Sequence, residues 1–150
     1  MRRISVAVLA LAVIGSGVAF AAKTISLEGI KCPMSGAAVK EDKSVAHLDG
    51  KVYFCCEKCS AKFEADKDKF AAKANQQLVA TKQYEQKACP MTGGALNKDT
   101  AIKVGEAEVA FCCTKCKGAA EGKKGDEQIE LVFGKKAFEK GKFAKVEVKK

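Results

Sequence analysis

Phe54-Cys55-Cys56-Glu57-Lys58-Cys59 returns 57 positions later as Phe111-Cys112-Cys113-Thr114-Lys115-Cys116. Upstream, Cys32-Pro33-Met34-Ser35-Gly36 returns at the same shift as Cys89-Pro90-Met91-Thr92-Gly93. All eight cysteines of the 150-residue chain fall into one register, which chance does not produce. The repeated unit is C-P-M-[ST]-G, an interval, then F-C-C-x-x-C, and duplication accounts for the length without a larger fold.

The interval and the residues after the last cysteine set the expected local structure. Residues 44–48 and 51–54 flank Asp49-Gly50, a dipeptide suited to a tight turn, so a short hairpin should end at the cysteine pair. From residue 57 to about 74 the pattern predicts a helix, with Cys59, Phe63, Phe70 and Ala74 near one face. The second copy repeats the strand pattern over 101–111, with its turn near Val104-Gly105-Glu106. Its helix is weaker: residues 117–125 hold three glycines, and Ala120 and Glu127 stand at the positions of Phe63 and Phe70. Residues 77–81 and 129–133 read as an extra strand after each unit, and a lysine-rich tail over 135–150 reads as a solvated extension.

Ahead of the repeats, residues 1–21 carry Arg2 and Arg3, an apolar stretch over 4–14, a Gly-Ser-Gly break and an Ala19-x-Ala21 site, the pattern of a signal peptide cleaved after Ala21. The apolar run is about half of the ~20 residues that span a bilayer. The chain is therefore read as exported, periplasmic or secreted, with no membrane partner after cleavage. Its expected organisation is a signal peptide over 1–21, a first module over 22–82, a second and shorter one over 83–125, and a strand with a basic extension over 126–150.

Composition narrows the chemistry. Apolar residues make up 47% and charged residues 30%, a globular balance. The formal charge is +9, but the only arginines, Arg2 and Arg3, lie in the leader, so the exported chain is basic through lysine alone. Lysine lacks the bidentate geometry that reads phosphate and guanine, which argues against specific nucleic-acid binding. One histidine and no tryptophan exclude multi-histidine metal sites, and the acidic residues form no repeated pair for two-carboxylate chemistry. His47 has Val104 at its place in the second copy and reads as a hairpin-face residue. Met34 and Met91 read as packing beneath the Cys-Pro turn, although a thioether is a copper ligand in principle.

Sulfur remains as the carrier of function. In each copy the C-x-x-C pair and the cysteine preceding it converge if a helix begins near Cys56, and the Cys-Pro turn can bring a fourth thiolate. The candidate ligands are Cys32, Cys55, Cys56 and Cys59 in one unit and Cys89, Cys112, Cys113 and Cys116 in the other, sets suited to zinc or copper(I). A module of this size has a marginal core, and a structural metal contributing on the order of 10 kcal/mol would stabilise it. The alternative in an oxidising compartment is a disulfide-stapled secreted interaction module. Vicinal pairs such as Cys55–Cys56 are poor disulfides, because adjacent Cα atoms are about 3.8 Å apart, but other pairings stay open. A third alternative, a C-x-x-C thiol-disulfide oxidoreductase, needs a βαβ framework that a 57-residue unit has no room for. Ser60 and Lys117, where C-x-x-C-H would place histidine, exclude covalent haem attachment.

The spacing of Cys32, Cys55 and Cys59, and of Cys89, Cys112 and Cys116, resembles that of the YHS and TRASH domains, cysteine-rich modules associated with heavy-metal binding. Tyr53-Phe54-Cys55 and the helix aromatics Phe63 and Phe70 extend the resemblance, which covers residues 30–74 and 88–120. The Tyr-His-Ser triplet that names the first family is absent, Ser35 and Thr92 replace a second knuckle cysteine, and Cys56 and Cys113 are additional. The resemblance implies treble-clef-like metal-binding modules, and the chain as a whole is read as a small, non-enzymatic α+β protein of two such tandem modules, each a β-hairpin plus helix.

Overall fold

The fold is that of a computed structural model, which describes residues 25–147. The leader expected over 1–21 lies outside these residues. Each copy builds an antiparallel hairpin that runs into a cysteine pair and a helix. The first comprises β1 (Lys40–His47), β2 (Gly50–Phe54) and α1 (Glu57–Ala65). Its turn is Leu48-Asp49, one residue earlier than expected, with Leu48 at φ 51° and His47 paired to Gly50. Gly50 is needed for another reason: a Cβ there would lie 2.7 Å from Leu78 Cδ2.

Asp66 ends α1, and its carboxylate accepts from the Lys69 amide to start α2 (Lys67–Ala80). The single helix expected over 57–74 is thus two, and the strand expected over 77–81 is the last turn of α2. Leu78, Val79 and Ala80 form a short apolar run whose period does not distinguish strand from helix. Here Leu78 continues the inward stripe begun by Ala74, and both are fully buried.

After α2 comes β3 (Tyr84–Glu85), then the second unit: β4 (Asn97–Val104), β5 (Ala107–Phe111) and α3 (Thr114–Glu121). The equivalent elements start at positions shifted by 57, and Gly105, at φ 60°, occupies the left-handed turn position that Leu48 fills in the first hairpin. The second strand expected over 129–133 is also helical, lying within α4 (Asp126–Phe133). Its β-branched and aromatic residues suggest a strand, but Asp126 and Glu127 in the first turn suit a helix N-terminus, and packing against α2 and α3 buries Val132 and Phe133.

The tail is a working part of the fold, not a solvated extension. It forms α5 (Lys135–Lys140) and β6 (Ala144–Lys145), and β6 pairs with β3. Phe138 and Phe143 stack at 4.6 Å and are buried, with Tyr84 against Phe138 and Phe133 against Phe143. These rings supply aromatic volume that α3 lacks. Phe138→Ala is therefore expected to cost about 3 kcal/mol or more, the range for large-to-small core changes. Urea unfolding checks this, and an unchanged midpoint would return the tail to the role of a solvated extension.

One core runs through the whole described chain: Phe54, Phe63 and Leu78 from the first half join Val109, Phe111 and Phe133 from the second. The central strut is α2, which carries three consecutive buried polar residues aimed at different elements. Asn75 Oδ1 accepts from His47 Nε2 at 2.9 Å, and Asn75 Nδ2 donates to the Phe133 carbonyl at 2.9 Å. Gln76 donates to Glu106 at 2.7 Å. Gln77 turns to the first cysteine cluster. His47 is thus a hairpin residue, as expected, edge-on to Phe63. Among the described residues no helix is long and apolar enough to cross a membrane.

Candidate metal centres

Each centre is assembled from a knuckle, a strand end and a helix start. In the first knuckle, Gly36 N–H returns to the Cys32 carbonyl at 2.9 Å while Cys32 N–H reaches the Ala37 carbonyl at 2.7 Å. Gly36 adopts φ 72°, which favours glycine, and Gly93 matches it at φ 76°. The second knuckle closes in the same way, Gly93 N–H to Cys89 O at 2.7 Å and Cys89 N–H to Gly94 O at 2.9 Å. Cys55 and Cys112 follow the last residues of β2 and β5. Cys59 and Cys116 lie in the first turns of α1 and α3, whose N-caps are Cys56 and Cys113 in extended backbone.

The Sγ atoms of Cys32, Cys55 and Cys59 lie within 4.8 Å of one another, and so do those of Cys89, Cys112 and Cys116. The Cys55–Cys59 separation is 3.7 Å and the Cys112–Cys116 separation 3.6 Å. Metal–sulfur bonds of ~2.3 Å at tetrahedral angles span edges of about 3.8 Å, so these thiols stand at ligand spacing. Cys56 and Cys113 are outside the two triads and exposed, yet the Cys56 sulfur is 3.7 Å from Cys55 and 3.6 Å from Cys59. All eight cysteines are free thiols. Ser35 Oγ stands 3.2 Å from Cys55 Sγ and Thr92 Oγ1 3.3 Å from Cys112 Sγ, so each hydroxyl in the knuckle touches a ligand-spaced sulfur.

The thiols of a triad are not equivalent. Burial pushes the Cys32 thiol up, but the amides of Cys55, Met34 and Ser35 and the Ser35 hydroxyl outweigh it and bring it down to about 7. Cys89 is likewise lifted by burial and brought to about 7 by the Cys112, Met91 and Thr92 amides and the Thr92 hydroxyl. Burial raises Cys59 and Cys116 to about 12, reinforced by the neighbouring sulfurs. Hydrogen bonds from the Cys59 and Cys116 amides, at the helix starts, lower Cys56 and Cys113.

These shifts fix the pH dependence of the reduced, metal-free protein. With Cys32 and Cys89 depressed from 9.0 to about 7, the folded chain binds fewer protons than the unfolded one in that window, so stability rises from about pH 7 to 9. With Cys59 and Cys116 raised from 9.0 to about 12, stability falls again above about pH 9. Urea midpoints in reductant and chelator should therefore peak near pH 9, and a flat profile would contradict the arrangement.

Sequence patterns missed two residues that hold the centres together. Gln77 Oε1 accepts from the Tyr53 amide at 2.6 Å, while its Nε2 donates to the Tyr53 carbonyl at 3.0 Å and the Lys31 carbonyl at 3.1 Å. One carboxamide thus ties the residue before Cys32 to the strand end before Cys55. Gln86 does the same in the second unit: Oε1 accepts from the Ala110 amide at 3.0 Å, and Nε2 donates to Ala110 O at 2.8 Å and Ala88 O at 2.9 Å. Ala110 and Ala88 are the 57-shifted counterparts of Tyr53 and Lys31. The two glutamines are not counterparts, since one projects from α2 and the other follows β3. In both units a side-chain amide takes the place of a neighbouring strand's peptide on an otherwise unpaired edge. The tail supports the second knuckle too, as the Lys87 and Ala88 amides donate to the Gly141 carbonyl at 3.2 and 2.8 Å.

Comparison of the chain with protein-family models, curated proteins and solved structures gives no match.

Proposed function

We propose that this is an exported, non-enzymatic heavy-metal-binding protein of the YHS/TRASH type. In this reading two treble-clef-like units each hold one soft ion, zinc or copper(I), through cysteine thiolates. The observation that carries the proposal is the repeated convergence of three sulfurs, Cys32 with Cys55 and Cys59, and Cys89 with Cys112 and Cys116, from a knuckle and a strand-to-helix junction well apart in the chain. Convergence of thiols from distant parts of a small chain suits soft-metal capture, because thiolates favour zinc and copper(I) over harder ions. The clamps at Gln77 and Gln86 support it further, since metal ligands are commonly oriented by such outer hydrogen bonds. Binding would exchange thiol protons for metal, so affinity should fall as pH drops, and more steeply below about pH 7, where Cys32 and Cys89 also take up protons.

Anaerobic titration of the reduced chain with Zn²⁺ or Cu(I) tests the proposal. Saturation at two equivalents with thiolate-to-metal absorption supports it, and no tight binding of either ion refutes it. The second reading is the disulfide-stapled interaction module, for which the 3.6 Å approach of Cys56 to Cys59 supplies one pair of adjacent thiols. Exported protein with no free thiols and no metal would favour it.

A further inference from the structure

The fourth cysteine of each unit has a placement that triad binding alone does not use. Cys55, Cys56 and Cys59 form a three-sulfur face with separations of 3.7, 3.6 and 3.7 Å. It shares the Cys55–Cys59 edge with the face completed by Cys32. Cys32 is buried at 2% exposure, whereas Cys56 is exposed, so the two faces look inward and outward from a common edge. In the second unit Cys113 is likewise exposed and stands 3.8 Å from Cys112, which is itself 3.6 Å from Cys116, and Cys89 is fully buried.

We propose that Cys56 and Cys113 are hand-over ligands, which receive a metal ion from a small thiol carrier and pass it to the buried face of the triad. The proposal rests on the metal-binding reading above and assigns the exposed cysteine a kinetic role. In the first exchange a metal–sulfur bond to Cys56 forms as a bond to the carrier breaks; the Cys56 proton passes to the carrier thiolate. Cys55 and Cys59 then displace the remaining carrier sulfurs and release their protons to solvent. Last, the Cys32–metal bond forms as the Cys56–metal bond breaks; Cys32 yields its proton to solvent and Cys56 takes one back. The ion keeps its oxidation state throughout. Because Cys55 and Cys59 belong to both faces, the ion changes a single ligand in this last step and is never released.

The full chain and its C56S/C113S variant would be mixed anaerobically with Cu(I) or Zn²⁺ as glutathione complexes, and loading followed by stopped flow. Serine is a favourable helix N-cap, so the substitution does not weaken the starts of α1 and α3. The expected result is two equivalents bound and an unchanged melting temperature in both proteins, with uptake in the variant slowed tenfold or more. Equal rates within twofold would overturn the proposal, as would loss of bound metal in the variant, which would make Cys56 and Cys113 permanent ligands. Failure of the parent chain to load either ion would instead overturn the metal-binding reading, and this proposal with it.

Discussion

Cys32→Ser is expected to leave one metal ion per chain where the parent binds two, and to leave the Cys89 site loaded. Cys32 is the one sulfur of its triad contributed by the knuckle, and Cys56 completes only the exposed face of the Cys55–Cys59 edge, from which dialysis against a competing chelator should strip the ion. A thiolate site with binding free energy on the order of 10 kcal/mol, divided over three or four ligands, loses about 3 kcal/mol with one of them. That is roughly a hundredfold in affinity. Because the core is shared between the halves, the loss should also lower the melting temperature of the whole chain in one transition. Cys89→Ser should mirror it. Metal analysis after dialysis checks the stoichiometry, and two retained equivalents in either variant would mean that the triads are not the sites.

The second large effect is expected at a residue that carries no ligand. Gln77→Leu keeps the size of the side chain but leaves the Tyr53 amide and carbonyl and the Lys31 carbonyl without their partner. Unsatisfied buried polar groups cost about 1–3 kcal/mol each, so a total of about 3 kcal/mol is expected. The mechanistic signature is at the metal: with the knuckle untied from β2, affinity at the first site should fall roughly 10- to 100-fold, the usual effect of removing an outer-shell partner. Gln86→Leu should act in the same way at the second site alone. Gln83→Leu is the control, since Gln83 grips Lys51 on the same strand with bonds of 2.8 and 2.7 Å but touches no residue flanking a cysteine. Competition titrations with a chromophoric chelator separate the three. Equal affinities for Gln77→Leu and Gln83→Leu would reduce Gln77 to a general stabilising contact.

The cysteine register and the hairpins were legible because each rests on a local, repeated signal. The 57-residue shift aligns the sulfurs, and a turn followed by alternating strand residues ends at each F-C-C. Local signals failed where tertiary contact decides the structure. Residues 78–80 and 129–133 are short apolar runs that suit strand or helix alike, and the packing of α2 on α4 makes both helical. The tail misled because its lysines outnumber its aromatics, yet Phe138 and Phe143 are the residues that anchor it. Gln77 and Gln86 gave no signal at all. Glutamine belongs to no ligand pattern, and because the two reach their targets from unrelated elements, aligning the copies does not bring them together.

The most direct test is elemental metal content together with free-thiol count on the protein after export to a periplasm, purified without chelator and denatured anaerobically. Two thiolate-bound ions per chain with eight titratable thiols is the predicted result. No metal and no free thiols would contradict the metal-binding reading, leaving a disulfide scaffold whose function lies elsewhere on its surface.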